Sequence, residues 1–175
     1  YMINDEHILL VEDDQSLQEL IEKLLKNNNY IVSKANNIEE AEKLINIFKF
    51  DLMILDVMLP DSTGLDFYKK RIKDRINTPV IFLSALSDVE DRINGLELGA
   101  DDYIGKPFDS RELVLKIKKN IIKKQSMDIV NLGNDTEFNL KKEQLNYQGI
   151  KINLSSNEIK ILKLLIHNSH QYLTR

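Results

Sequence analysis

Asp56 closes an apolar run, Leu52-Met53-Ile54-Leu55, and Pro60 with Asp61-Ser62-Thr63-Gly64 follows closely behind it. The run is too short for an ordinary helix and nearly unbroken in apolar character, so it reads as a strand buried on both faces. Pro60 and the turn residues after it end that strand. A carboxylate at the carboxyl end of a buried strand stands where open α/β sheets bind ligands. Other runs end in matching groups: Glu12 and Asp13 follow His7 to Val11, Ser84 ends Val80 to Leu83, and Lys106 closes the short run from Asp102. Three carboxylates gathered without histidine or cysteine suit a hard divalent cation, and Mg²⁺ takes oxygen ligands while keeping several waters. Lys106 adds a positive charge and Ser84 a hydroxyl. Together these groups could neutralise a phosphoryl group and its developing charge. Asp56, central in the set, is the candidate nucleophile, since carboxylates form aspartyl phosphates. Singly, each residue has a blander role. The acids at 12 to 14 could only favour a helix dipole, Asp56 or Ser84 could cap a turn or helix, and Lys106 could be solvated. The joint pattern is far more specific than its parts.

The elements that would position these groups alternate. After the first strand, Leu17, Leu20, Ile21, Leu24 and Leu25 recur at helical spacing. Tyr30 to Ala35 reads as a second strand, and Asn37 with Glu40 as a capping box for a helix bearing Ile38, Ala41, Leu44, Ile45 and Phe48. The strand ending at Asp56 is third. A helix with Leu65, Tyr68 and Ile72 on one face follows Gly64, and Pro79 to Ala85 is the fourth strand. Asp88 to Leu98 is predicted helical, with Gly99 past its end. Asp102 to Gly105 is a short fifth strand. Asp109 and Glu112 then form a capping box for a fifth helix carrying Leu113, Val114, Ile117 and Ile121. Strand and helix alternating five times predict a parallel, doubly wound sheet. Residues 129 to 154 change texture to short alternating pieces separated by Gly133-Asn134-Asp135 and Gln148-Gly149, as in a small antiparallel sheet. Ser155 and Glu158 then cap a last helix whose apolar face is Ile159, Leu162, Leu165 and Ile166.

Composition narrows the classes. The 175 residues suffice for one full domain and part of another. With no cysteine there is no disulfide framework and no thiolate site, and the three histidines do not cluster with acids at ligand spacing. No stretch approaches membrane-spanning length and no signal peptide is evident, so a cytoplasmic protein that does not engage membranes is expected. The formal charge of −4 is uneven: residues 1–124 carry −5 and residues 125–175 carry +1. The acidic first part suits a cation site better than a phosphate backbone.

Several motifs carry a family likeness: Glu12-Asp13 after the first strand; Asp56 with Met58-Leu59-Pro60 and Gly64; Ser84-Ala85; and Gly99-Ala100-Asp101-Asp102-Tyr103 with Lys106-Pro107-Phe108. On these, residues 1–124 resemble the receiver domain of a two-component response regulator. Leu154-Ser155-Ser156-Asn157-Glu158, with Leu162, Leu164-Leu165 and Leu173-Thr174-Arg175, is similar to the start of an OmpR/PhoB-type winged-helix DNA-binding domain. The resemblance implies a flavodoxin-like receiver over 1–124, a linker over 125–130 and the N-terminal part of the effector domain over 131–175. It implies that Asp56 accepts phosphate from a sensor histidine kinase, that Glu12, Asp13, Asp56 and the Met58 carbonyl hold Mg²⁺, and that Ser84 and Lys106 contact the phosphate while Tyr103 changes rotamer. It implies a cis Lys106-Pro107 bond. It also implies a homodimer on phosphorylation through a charged face containing Arg92, Asp102, Glu112 and Lys116, and promoter DNA as the effector's target. The family's winged helix continues past residue 175 with a recognition helix and wing, so the effector domain is expected to be truncated here and unable to bind DNA specifically. The expected protein is a switch that only assists its own phosphorylation and dephosphorylation rather than an enzyme. The alternative is a Mg²⁺-dependent phosphohydrolase with an aspartyl nucleophile. That chemistry wants a second acid two positions after the nucleophile, where this chain has Met58. A dinucleotide-binding domain lacks its glycine-rich turn after the first strand.

Overall fold

The computed structural model describes residues 6–73, 78–85 and 100–172. The predicted helix over 88–98, with Arg92 and Gly99, lies outside the described residues, as do Leu173, Thr174 and Arg175. The chain divides into two units, one running to Ile122 and the other starting at Lys123.

In the first unit, β1 (His7–Val11), β2 (Ile31–Ala35), β3 (Leu52–Asp56), β4 (Val80–Ala85) and β5 (Asp102–Lys106) form a parallel sheet in the order β2-β1-β3-β4-β5. Among the described residues its helices are α1 (Gln15–Asn27), α2 (Ile38–Ile47), α3 (Gly64–Lys73) and α4 (Ser110–Met127), the last being the predicted fifth helix. Alternate strand residues point to opposite faces. Leu9, Val11, Met53, Leu55 and Phe82 pack with residues of α2 and α3, including Ala41, Leu65 and Phe67. Ile8, Leu10, Leu52, Ile54 and Leu83 pack with Ile21 and Leu25 of α1 and with Leu113, Ile117 and Ile121 of α4. Both faces are covered, which is why the strands read as unbroken apolar runs. The strand order reverses between β1 and β3, so the crevice beyond their carboxyl ends is the ligand position of this topology.

Two details of these helices differ from the sequence reading. Leu20 is 65% exposed. The inward line of α1 is Ile21 and Leu25, flanked by Leu17 and Leu24, and five leucine-type residues cover more of the helix surface than one sheet can bury. At α4, the Asp109 carboxylate accepts from the backbone N, Nε and Nη2 of Arg111 instead of capping Glu112. A guanidinium two residues away offers charge-assisted bonds that a single backbone N–H cannot match.

In the second unit, β6 (Ile129–Gly133), β7 (Thr136–Asn139), β8 (Gln144–Tyr147) and β9 (Ile150–Ile152) form an antiparallel sheet in sequence order. Its turns use the positive-φ residues Gly133, Asn134, Asp135, Gln148 and Gly149 at the predicted positions. The Ser155–Glu158 box forms ahead of α5 (Ser156–Tyr172). Ile166 is buried and Ile159 and Leu162 are half-buried, but Leu165 is 62% exposed beside Ile161 and Leu164. The i, i+3, i+7 line of 159, 162 and 166 defines the inner face, and position 165 falls outside it. Regular structure also occupies the stretch 125–130 that reads as a linker. Helix α4 reaches Met127 and β6 begins at Ile129. Asp128 between them donates its N–H to the Lys124 carbonyl, and its own carbonyl accepts from the Leu140 N–H.

Candidate functional site

Glu12 follows β1 directly, and Asp56 is the last residue of β3, held in register opposite Leu83 of β4. Lys106 ends β5 opposite Ala85. These strand ends bring four predicted residues together. The Lys106 Nζ donates to Asp56 Oδ2 at 2.6 Å and to Glu12 Oε2 at 2.7 Å. Glu12 and Asp56 are buried, at 1% and 5% exposure, while Asp13 beside them is exposed. Ligand oxygens of Glu12, Asp13 and Asp56 all lie within 4.8 Å of one another. An all-carboxylate set of this compactness, with one member open to water, fits a hard oxygen-seeking cation that keeps part of its hydration. Asp56 Oδ1 accepts from the Met58 N–H at 3.0 Å, which fixes the carboxylate and the start of the next loop together. Met58 itself is 66% exposed at the site's rim.

Burial pushes the Glu12 carboxyl above its usual range, with the neighbouring Asp56 charge adding to the rise and the Lys106 hydrogen bond opposing it. For Lys106, burial would lower the ammonium, but its bonds to Asp56 and Glu12 prevail and hold it above the usual lysine value. Two buried acids thus share one cation. We expect Lys106→Met to leave them uncompensated, at a cost of about 3 kcal/mol in chelator, the low end for breaking a buried pair because the lysine head is partly solvated. Saturating Mg²⁺ should recover most of that loss, since a cation bound only to the folded state stabilises it. Urea unfolding with and without Mg²⁺ measures both. An equal loss in the two conditions would contradict the shared-cation picture.

Ser84 is buried at the end of β4, and its hydroxyl donates to the Ala85 carbonyl at 3.2 Å. Tyr103 is buried on β5, its ring 6.0 Å from that of Phe82. The Lys106-Pro107 peptide is cis, as the resemblance implied. Of the residues expected on a charged dimer face, three meet within this chain. The Lys116 Nζ lies 2.6 Å from Asp102 Oδ1 and 3.6 Å from Glu112, and it also donates to the Tyr103 carbonyl. Lys119 adds a second contact to Asp102 at 3.3 Å. Burial alone would raise the Asp102 carboxyl, but Lys116, the Tyr103 N–H and Lys119 hold it below its usual range. That stabilisation is present above the unfolded carboxylate range and is lost as pH falls through the lowered folded value.

The structure adds three residues that the sequence reading did not assign to the site. The buried Gln18 amide donates to the carbonyls of Glu12 and Ala35 and to Asn36 Oδ1, joining the loops after β1 and β2. The available signal was a polar residue three before Ile21 and seven before Leu25, on the inward line of α1. Asp61, read only as turn chemistry, reaches α2. Gly64 packs so tightly on Asp56 that an added Cβ would lie 2.2 Å from the Asp56 carbonyl oxygen.

The family model for the response regulator receiver domain matches residues 8–118. The chain belongs to the response regulators. The transcriptional regulatory protein DltR of Streptococcus agalactiae is 32% identical to it over 173 residues, covering 96% of this chain and 75% of that protein. The response regulator ArlR of Staphylococcus aureus is 36% identical over 170 residues, covering 96% and 76%. Among solved structures, the response regulator DrrB of Thermotoga maritima, described as an OmpR/PhoB homologue, matches with a TM-score of 0.60 and 29% identity over 94% of this chain and 73% of that one. The receiver domain of the Francisella response regulator 1452 matches at 0.65 and 34%, covering 68% of this chain and 98% of that one. The five-stranded parallel sheet flanked by helices is thus a receiver, and an antiparallel sheet and a helix follow it in the second unit. No helix among the described residues is long and apolar enough to cross a membrane.

Proposed function

We propose that this response regulator is a two-component switch in which Asp56 accepts a phosphoryl group from a sensor histidine kinase and thereby controls transcription. The observation that carries the reading is the buried Asp56–Lys106–Glu12 arrangement at the sheet's switch point, with Asp13 completing a compact acid cluster. In the transfer, an Asp56 carboxylate oxygen forms a bond to phosphorus. The phosphorus–nitrogen bond of the kinase phosphohistidine breaks, and its electron pair leaves on the imidazole nitrogen. Glu12, Asp13, Asp56 and the Met58 carbonyl would hold Mg²⁺, which offsets the negative charge of the acids and the incoming group. Lys106 would turn from the free Asp56 carboxylate to the phosphoryl oxygens, and the Ser84 hydroxyl would donate to them. Tyr103 would then respond by rotamer, and the faces near Arg92, Asp102, Glu112 and Lys116 would meet in a dimer. The intramolecular Lys116–Asp102 pair implies that dimerisation exchanges existing ion pairs for new ones, so each contributes only about 0–1 kcal/mol. Residues 131–175 would be the first part of an OmpR/PhoB-type effector directed at promoter DNA, following a receiver over 1–124.

The exposed Met58 thioether cannot serve as the acid a phosphohydrolase needs at that place. Incubation with acetyl phosphate and Mg²⁺ should therefore add one phosphoryl group per chain and then stop, whereas excess chelator or Asp13→Ala should slow uptake at least tenfold. Continuous turnover of a generic phosphate ester, or full-rate uptake in chelator, would overturn the reading.

A further inference from the structure

Helix α2 leaves its first-turn N–H groups without intrahelical partners, as any helix does. Its own cap, Asn37, takes only one of them, accepting from the Glu40 N–H at 2.8 Å. Two others are taken from another loop. Asp61, 23 residues further on, accepts from the Ile38 N–H through Oδ1 at 3.1 Å and from the Glu39 N–H through Oδ2 at 3.2 Å. The carboxylate caps α2 from outside it, with both oxygens engaged and its charge at the positive end of the helix.

Asp61 stands in the apex of the loop that leaves Asp56. That loop is pinched at its base. Met58 and Thr63 form an antiparallel bridge, the Gly64 N–H donates to the Val57 carbonyl at 2.9 Å, and Gly64 packs against the Asp56 carbonyl. The loop's first arm carries Met58, whose N–H holds Asp56 Oδ1. The base is thus fixed to β3 and the apex is fixed to α2. The start of α2 is tied in turn to the loop after β1, because Gln18 bonds the carbonyls of both Glu12 and Ala35 and the side chain of Asn36. Three loops around the acid cluster form one connected cradle, and Asp61 is its link between the second and third.

We infer that Asp61 is a positioning residue for the phosphoryl-acceptor site: by capping α2 from the loop after Asp56, it holds Met58 and the Asp56 carboxylate where a divalent cation needs them. This deepens the reading of Glu12, Asp13, Asp56 and Met58 as the cation site and rests on it. Freed from α2, the apex lets the arm bearing Met58 move, and the cation must then bear the cost of ordering it. Loss of a cap of this kind amounts to about a fivefold change in an equilibrium constant.

The test compares the parent with Asp61→Ala, Asp61→Asn and Asn37→Ala. Mg²⁺ binding is read by calorimetry, the Mg²⁺ dependence of phosphorylation by acetyl phosphate gives a second readout, and thermal unfolding is followed alongside. Asn37→Ala removes a comparable cap from the same helix without touching the loop. Asp61→Ala should weaken Mg²⁺ binding about fivefold, and it should raise the Mg²⁺ needed for half-maximal phosphorylation by the same factor, with little change in the rate at saturation. Asp61→Asn, which keeps one acceptor oxygen, should fall between. Asn37→Ala should lower thermal stability as much while leaving Mg²⁺ affinity at the parent value. Parent-like Mg²⁺ affinity in both Asp61 variants overturns the inference, and so does an equal loss in Asn37→Ala, which would assign the effect to α2 stability. A parent that binds no Mg²⁺ at all overturns the underlying site reading instead, an outcome distinct from either.

Discussion

Asp56→Asn should abolish phosphoryl uptake from acetyl phosphate in the presence of Mg²⁺, down to the level of protein without donor. The amide keeps the shape of the carboxylate and an oxygen able to accept the Met58 N–H, so the loop start keeps its anchor. What it loses is the anionic nucleophile, and a neutral amide oxygen does not take its place. It also loses one of three carboxylates in the cation cluster and one of the two partners of Lys106, so Mg²⁺ affinity should fall as well. Thermal unfolding should show a folded variant with parent-like cooperativity. The remaining acids make this a discriminating result. Glu12 is as close to Lys106 as Asp56 is, and Asp13 is more exposed than either. If either could act as acceptor, uptake would persist in the variant, and undiminished labelling would remove Asp56 from the central role.

Gly64→Ala should destabilise the first unit by about 3 kcal/mol, at the upper end of the range for forcing an extra methyl into a filled space. The new Cβ would lie 2.2 Å from the Asp56 carbonyl oxygen and 3.1 Å from both the Asp56 carbonyl carbon and Leu55 Cγ. Two of those atoms are backbone of the central strand, so no side-chain rotation relieves the overlap. Either β3 or the start of α3 must shift, and the Gly64 N–H to Val57 carbonyl bond closing the loop is lost or stretched. Because the overlap falls on the backbone of Asp56 itself, phosphorylation should slow even in the fraction that stays folded. A urea unfolding curve supplies the stability. A value within about 0.5 kcal/mol of the parent, the usual range for a harmless surface change, would contradict the close approach.

The contrast between Gly64 and Asp61 shows what could be read in the chain. The strands were legible because burial on both faces turns β1, β3 and β4 into short apolar runs, and their terminal polar groups marked one edge of a sheet. The meeting of Glu12, Asp56 and Lys106 followed from topology, since strands in a parallel sheet present the same ends together. Asp61 and Gly64 were visible only as turn-forming types. Their roles arise from contacts 23 residues apart and from backbone packing, neither of which leaves a periodic trace. Leu20 and Leu165 were misplaced for a related reason: helical spacing marks which residues could be buried, while the neighbouring element decides which are. The Asp109 box failed to form because Arg111, unweighed in the motif, is a stronger local partner.

That a single carboxylate, at position 56, carries the signal is central to the proposed switch. It is tested most directly by treating the protein with acetyl phosphate and Mg²⁺, digesting it at neutral or mildly acidic pH, and locating the added phosphoryl group by mass spectrometry. One modified peptide is expected, the one containing Asp56, with the group removed by hydroxylamine as an acyl phosphate must be. A hydroxylamine-resistant phosphate, or a group found on any peptide lacking Asp56, would contradict it.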